Sequence, residues 1–325
     1  MRATDERVTP VKIGTRGSAL ALWQAQTVAR LIAEAGGPAC EIVVIRTSGD
    51  EGSAVAESSE PTTNVKRLFV KEIEDALLEG RVDLAVHSSK DLAAHLPDGL
   101  TLAATLERED PRDALILPAP AAPADFKTSA RALGPTPRIG TSSVRRVAEL
   151  RAQFPGATFA AIRGNVDTRL RKLDAGECDA LVLAAAGLKR LGLAARISAL
   201  IPTDVCLPAP GQGIVAIEVA SGGTPTIRDA VARICDPDAL TMLTAERAVV
   251  AALGGGCQMP LGVLATLDGS ALDVAGLVAS LDGRRIIRAT VHGNRGGAAA
   301  AGDKLAALLL KKGAAEILDR PPTER

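Results

Sequence analysis

Apolar positions along the first hundred residues alternate between two periods. Short aliphatic and β-branched runs at Val11–Thr15, 41–47, 82–87 and 100–106 predict strands. Between the first two, Leu20, Trp23, Thr27 and Leu31 share one face of a predicted helix over 19–35, which Gly36 and Gly37 stop. A second helix is expected over 69–78. The stretch 48–65 is polar, carries no apolar period and predicts a mobile loop. Another strand is expected at 114–117, with the charged segment 107–111 before it as a crossing between domains. From Arg138 to Arg171 the pattern strand, Gly/Ser/Thr turn, helix occurs twice. Residues 207–213 (Leu-Pro-Ala-Pro-Gly-Gln-Gly) form a stiff connector, and 214–219 a strand returning to the first half. A helix over 239–253 is stopped by Gly254, Gly255 and Gly256, directly before Cys257. Strands at 261–267, 271–280 and 285–292 and a helix over 299–318 complete the chain.

Part of this pattern is repeated. Ile13-Gly14-Thr15, followed by a helix with Gln24-Ala25-Gln26, recurs as Ile139-Gly140-Thr141, followed by a helix with Arg151-Ala152-Gln153. Glu79–Val86 resembles Ala175–Val182, in the same order. The fold class expected is α/β: two doubly wound domains of similar plan and a small C-terminal α+β domain with a three-stranded sheet and helices. The turns at the carboxyl ends of such strands are where ligands bind in open α/β sheets, so both halves are expected to offer their turns to one cleft.

Lys+Arg and Asp+Glu both number 38, which removes the basic footprint of a nucleic-acid binder, and aromatics at 2% leave no stacking platforms. The charged first ten residues predict no secretory leader, and no apolar run is long enough to span a bilayer. Five cysteines at irregular spacing then read as reduced thiols in the cytoplasm, and three scattered histidines suggest no metal site.

Against that neutral background, residues 138–171 hold seven arginines and two acids. Arg145 and Arg146 open a helix, where cations oppose the dipole unless an anion is present. Arg163 ends a strand, and Arg169 lies in the first turns of the next helix, after Gly164 and Asn165. Turn amides with bidentate arginines predict a carboxylate or phosphate ligand held by these four. Arg16 joins them through the duplication, while Arg151 and Arg171 fit a solvated helix face. Lys90 and Asp91 end a strand. Asp91 is either a helix N-cap or a carboxylate that accepts ligand N–H groups and steadies a cation. Cys257 is either a small buried residue or an accessible thiol beside backbone that something can approach. On the residues alone, a non-catalytic carboxylate-binding protein and a thiol enzyme both remain open.

The motifs taken together resemble the porphobilinogen deaminase (hydroxymethylbilane synthase) family over nearly the whole chain. They are residues 13–25, 68–72, Ala85-Val-His-Ser-Ser-Lys-Asp91, Arg108-Glu-Asp-Pro-Arg-Asp113, Gly140-Thr-Ser-Ser-Val-Arg-Arg146, 163–170, 186–192, 207–213 and Gly254-Gly-Gly-Cys-Gln-Met-Pro260. The resemblance implies three domains, 1–107 with 213–231, 108–212 and 232–325, the first two similar to periplasmic binding proteins. It implies a dipyrromethane cofactor tied by a thioether to Cys257, and condensation of four porphobilinogen molecules with loss of ammonia and hydrolytic release of hydroxymethylbilane. Asp91 matches the catalytic aspartate, with Lys90 beside it. Ser88, Lys90, Asp91, Thr141, Ser143, Arg145, Arg146, Gly164 and Gln212 match cofactor-binding segments. Arg16, Ser18, Phe69, Arg163, Asn165, Arg169 and Arg190 match substrate-binding ones. The family expectation is a cytoplasmic monomer without nucleic-acid or membrane partners. Three features depart from the family pattern: Asn64, Val65 and Arg67 around Lys66, Leu92-Ala93 after Asp91, and Ser89 before Lys90.

Overall fold

The computed structural model describes residues 10–47, 70–254 and 259–318. The chain divides into two units, residues 1–107 with 215–240 and residues 108–214 with 241–325. In the first unit, β1 (Val11–Thr15), α1 (Ala19–Glu34), β2 (Cys40–Val44), α2 (Lys71–Leu78), β3 (Leu84–Ser88) and β4 (Leu100–Thr105) are joined by β10 (Val215–Ala220) and α7 (Pro225–Arg233). The sheet order is β2-β1-β3-β10-β4, with β1 parallel to both β2 and β3, and β10 antiparallel to β3 and β4. Ile13, Leu84, Val86 and Ile217 pack with Val28 and Ile32 of α1 and Ile227 of α7. Ala85, Val82 and Leu100 pack with Ile73 and Leu77 of α2. Both faces are covered, which is why these strands read as apolar runs rather than alternating ones.

The second unit begins with β5 (Asp113–Ile116), α3 (Phe126–Ala132), β6 (Arg138–Gly140), α4 (Val144–Gln153) and β7 (Thr158–Ala160). It continues through α5 (Val166–Asp174), β8 (Ala180–Ala184), α6 (Ala185–Arg190) and β9 (Ala199–Leu200). Its sheet order, β7-β6-β8-β5-β9, repeats the first plan, with β6 parallel to β7 and β8 and β5 antiparallel to β8 and β9. The duplicated sequences occupy equivalent places. Lys12 N donates to Asp83 Oδ2 at 2.8 Å, and Arg138 N donates to Asp179 Oδ2 at 2.6 Å. Gly14 and Gly140 sit under side chains that leave no ordinary room for a Cβ: 3.0 Å to Val82 and 2.6 Å to Leu181 respectively.

After α8 (Pro237–Ala252), the strands β11 (Leu261–Asp268), β12 (Ala271–Ala279) and β13 (Ile286–Asn294) form an antiparallel sheet in that order, followed by α9 (Ala298–Lys311) and α10 (Ala314–Leu318). Val263, Leu272, Val274 and Val278 pack on α8 and α9, whereas Leu264, Leu277 and Ala279 pack on Ala148 of α4 and on Leu207. The single helix expected over 299–318 is interrupted, because Gly313 takes a left-handed φ of 98°. Helices α3, α6 and α7 and the short strand β9 have no counterpart among the expected elements, and the other boundaries differ from expectation by up to three residues.

The connector 207–213 is held near its C-terminal end. Arg108 Nε donates to Gln212 O at 3.0 Å and its Nη1 to Glu246 Oε1 at 2.6 Å, while Gly211 N donates to Glu246 Oε2 at 2.6 Å. Gly213 has φ +90°, and a Cβ there would lie 2.2 Å from the Glu109 carbonyl oxygen. Gly213→Ala is therefore expected to lose at least about 1–2 kcal/mol from the left-handed backbone alone, read as a lower urea midpoint. A midpoint equal to the parent's would mean the connector relaxes freely.

Candidate functional site

In the first unit, β3 runs directly into a 3₁₀ turn, Ser89–Asp91. Leu92 N closes the turn on Ser89 O at 3.2 Å. Ser88 is held from α1, since Gln24 Nε2 donates to its Oγ at 2.9 Å. Lys90 and Asp91 are half-buried. Asp91 starts no helix: its turn is followed by irregular chain, so the N-cap role is absent. Its carboxylate makes no hydrogen bond or ion pair among the described residues. Ser89 is buried, and its hydroxyl has no partner among them either. Arg16 is half-buried in the turn before α1, where Ser18 is the N-cap and accepts from Ala21 N at 3.3 Å.

The equivalent turn of the second unit is built from Thr141, Ser142 and Ser143. Ser143 caps α4 through Arg146 N at 3.4 Å, Ser143 N donates to Thr141 Oγ1 at 3.3 Å, and Ser142 Oγ donates to Ile162 O at 3.0 Å. Arg145 and Arg146 turn inward from this helix start and are buried. Both meet one carboxylate: Arg145 Nη2 donates to Asp113 Oδ2 and Arg146 Nη2 to Asp113 Oδ1, each at 2.7 Å. Gln212 Nε2 donates to the same Oδ1 at 2.8 Å. Arg145 Nη1 also reaches Leu207 O at 2.6 Å and Glu149 Oε1 at 3.4 Å, and Arg146 Nη1 reaches Val182 O at 2.9 Å. The anion that helix-start cations require is thus supplied from β5. Burial alone would raise the Asp113 pKa, but the charges of Arg145 and Arg146 outweigh it and hold the carboxyl well below its usual range. Burial pushes the Glu149 carboxyl and the Cys206 thiol up.

Three of the predicted cofactor-binding residues, Arg145, Arg146 and Gln212, are therefore gathered on Asp113. Sequence reasoning missed Asp113 as their partner, although Glu149 stands four residues from Arg145, the spacing of a helical ion pair. The two Nε atoms of Arg145 and Arg146 are buried without a partner among the described residues. A second group stays apart on the surface: Arg163, Gly164 and Asn165 are exposed, and Arg169 Nε donates to Gly164 O at 2.7 Å. Gly164 has φ +115°, and Asn165 precedes α5 without capping it through its side chain. Arg190 is half-buried, and its Nη2 donates to Gly213 O at 2.6 Å. Arg151 and Arg171 are exposed. Cys257, Phe69, Lys66 and the loop 48–65 lie outside the described residues. Among the described residues no cluster of three His, Cys, Asp or Glu could hold a metal ion, and no helix is long and apolar enough to cross a membrane.

Two family models match this chain. One, described as porphobilinogen deaminase, dipyromethane cofactor binding domain, covers residues 11–228; the other, porphobilinogen deaminase, C-terminal domain, covers 240–311. The porphobilinogen deaminase of Bordetella parapertussis is 46% identical over 318 residues, spanning 97% of this chain and 96% of its own. That of Acidithiobacillus ferrooxidans is 44% identical over 310 residues, spanning 95% and 97%. Among solved structures, substrate binding domain 2 of Lactococcus lactis GlnP is 12% identical, with a TM-score of 0.41 over 78% of this chain and 93% of its own.

Proposed function

The chain belongs to the porphobilinogen deaminase family, and from that premise we propose which of its residues carry the reaction. The activity is that of a transferase of tetrapyrrole biosynthesis, hydroxymethylbilane synthase, acting on porphobilinogen and using a dipyrromethane cofactor. When bound, that group supplies the primer to which four substrate units are joined head to tail.

Asp91 is the catalytic carboxylate, and the observation that carries this assignment is its lack of any partner at the end of β3 among the described residues. Each porphobilinogen loses ammonia from its aminomethyl carbon and leaves positive charge on the ring. A fixed, half-buried carboxylate stabilises that charge and accepts pyrrole N–H groups. Lys90, in the same turn, donates to substrate or cofactor carboxylates. Ser88, Thr141, Ser143, Arg145, Arg146, Gly164 and Gln212 would hold the cofactor, and Arg16, Ser18, Phe69, Arg163, Asn165, Arg169 and Arg190 the substrate. The donor set fits a ligand rich in carboxylates. Arg145 and Arg146 keep buried Nε–H groups unspent after pairing with Asp113, and Arg163 with the amides before α5 stands exposed. Cys257 is the anchoring thiol. A covalent anchor turns each condensation into a positioned event.

A three-domain division, 1–107 with 213–231, 108–212 and 232–325, belongs to the same proposal, supported by the separate apolar core of the C-terminal sheet. So do a monomeric state and a cytoplasmic location. The test is intact-mass spectrometry of the purified protein. The mass is expected to exceed the sequence mass by one dipyrromethane, with an Ehrlich colour reaction, and Cys257→Ala is expected to abolish both. A Cys257→Ala protein that still carries the adduct would move the anchor elsewhere.

A further inference from the structure

Glu218 is fully buried in β10, and the reaction as described gives it no role. It stands beside the catalytic turn. β10 pairs with β3 in the register Val215 to Ser88, Ala216 to His87 and Glu218 to Ala85. Across this pairing Glu218 Oε2 lies 3.2 Å from His87 Nε2, with side-chain exposures of 0% and 4%. Neither Glu218 oxygen nor His87 Nε2 has an aligned hydrogen-bond partner among the described residues, so the two side chains answer only each other. A carboxylate without donors persists in a core only when its charge is matched or removed. The contact with His87 is therefore the one interaction that compensates the buried Glu218 side chain among the described residues.

The location of this pair gives it meaning. His87 and Ser88 are the last two residues of β3, and the Ser89–Asp91 turn follows immediately. Ser88 is tied to α1 by Gln24, and His87 is tied to β10 by Glu218. Two side-chain tethers from different elements thus fix the strand end just before the residues that meet the substrate. Apolar residues of similar volume would fill the same space without leaving an uncompensated charge.

We propose that His87 and Glu218 are positioning residues, whose contact sets the direction in which Lys90 and Asp91 leave the sheet. This rests on the assignment of Asp91 as the catalytic carboxylate. The test compares two double variants with the parent. His87→Leu/Glu218→Met keeps an apolar core. His87→Gln/Glu218→Gln keeps a side-chain contact with no charge. The apolar pair is expected to retain its thermal midpoint and its covalent adduct by intact mass, while kcat falls about 10–100-fold and KM stays within about twofold. The amide pair is expected to recover kcat to within about fivefold of the parent, since it restores the tether. An apolar pair turning over at the parental rate, or an amide pair as slow as the apolar one, overturns the proposal. Asp91→Asn run in parallel separates the two ideas. If it is slow while the apolar pair is normal, only the positioning role fails. If it is itself normal, the Asp91 assignment fails.

Discussion

Asp113→Asn is expected to cost about 3–5 kcal/mol of stability, because it removes the one charge on which two buried guanidiniums converge. Arg145 and Arg146 cannot shed their protons, and each donates to Asp113 at 2.7 Å in a region without solvent access. Asparagine keeps the shape but presents an amide N–H to one of those donors and no negative charge to either. Urea unfolding measures the loss, and a midpoint equal to the parent's would mean the network relaxes without cost. Acid titration gives a second readout. Burial raises the Asp113 pKa, but Arg145 and Arg146 bring it below its unfolded value of about 3.9. Its contribution is therefore complete above about pH 3.9 and is lost as pH falls through the folded value. Glu149, raised by burial, has the opposite sign and adds nothing to that acid loss. The parent should thus lose stability below about pH 4 more steeply than Asp113→Asn does. Because the predicted cofactor-binding residues Arg145, Arg146 and Gln212 all lean on Asp113, the variant should also carry less covalent adduct by intact mass.

The elements that were legible beforehand are those whose signal is local. Ile13-Gly14-Thr15 and Ile139-Gly140-Thr141 announce equivalent strands, because a strand–turn–helix step needs the same few residues wherever it occurs. The two resulting sheets share one order. The final helix break at Gly313 and the start of α7 at Pro225 also had local marks, a glycine near a helix end and a proline at a first turn. The partners of the arginines were not legible in the same way. Asp113 lies 32 residues from Arg145, and Gln212 lies 99 from Asp113. Only the folded sheet brings β5 beneath α4. Residues 138–171 stand out in the sequence as a concentration of positive charge, yet two of their seven arginines are largely occupied by the chain's own carboxylates. Glu218 was hidden for a related reason. In sequence it is one polar residue in an apolar strand, and only the antiparallel register with β3 brings it to His87.

Asp91→Asn is expected to lower kcat about 10²–10³-fold while leaving the fold and KM nearly unchanged, the size of effect seen when one preorganised electrostatic partner is removed from a reacting charge. Asp91 is held in place by its backbone. Its backbone belongs to a short 3₁₀ turn closed by Leu92 N on Ser89 O, and the preceding residues are pinned by Gln24 and paired with β10. The carboxylate itself supports none of these contacts, so asparagine should leave them intact. On the proposed assignment, what disappears is the negative charge that would steady the cation formed as ammonia departs. An amide oxygen still accepts a pyrrole N–H, which preserves binding, but it offers only a dipole to the developing charge. The loss should therefore fall on the step and not on the affinity. Steady-state turnover with porphobilinogen, circular dichroism and intact mass separate these effects. Turnover within about fivefold of the parent, in a folded and adduct-bearing variant, would mean that the cation is steadied by some other group.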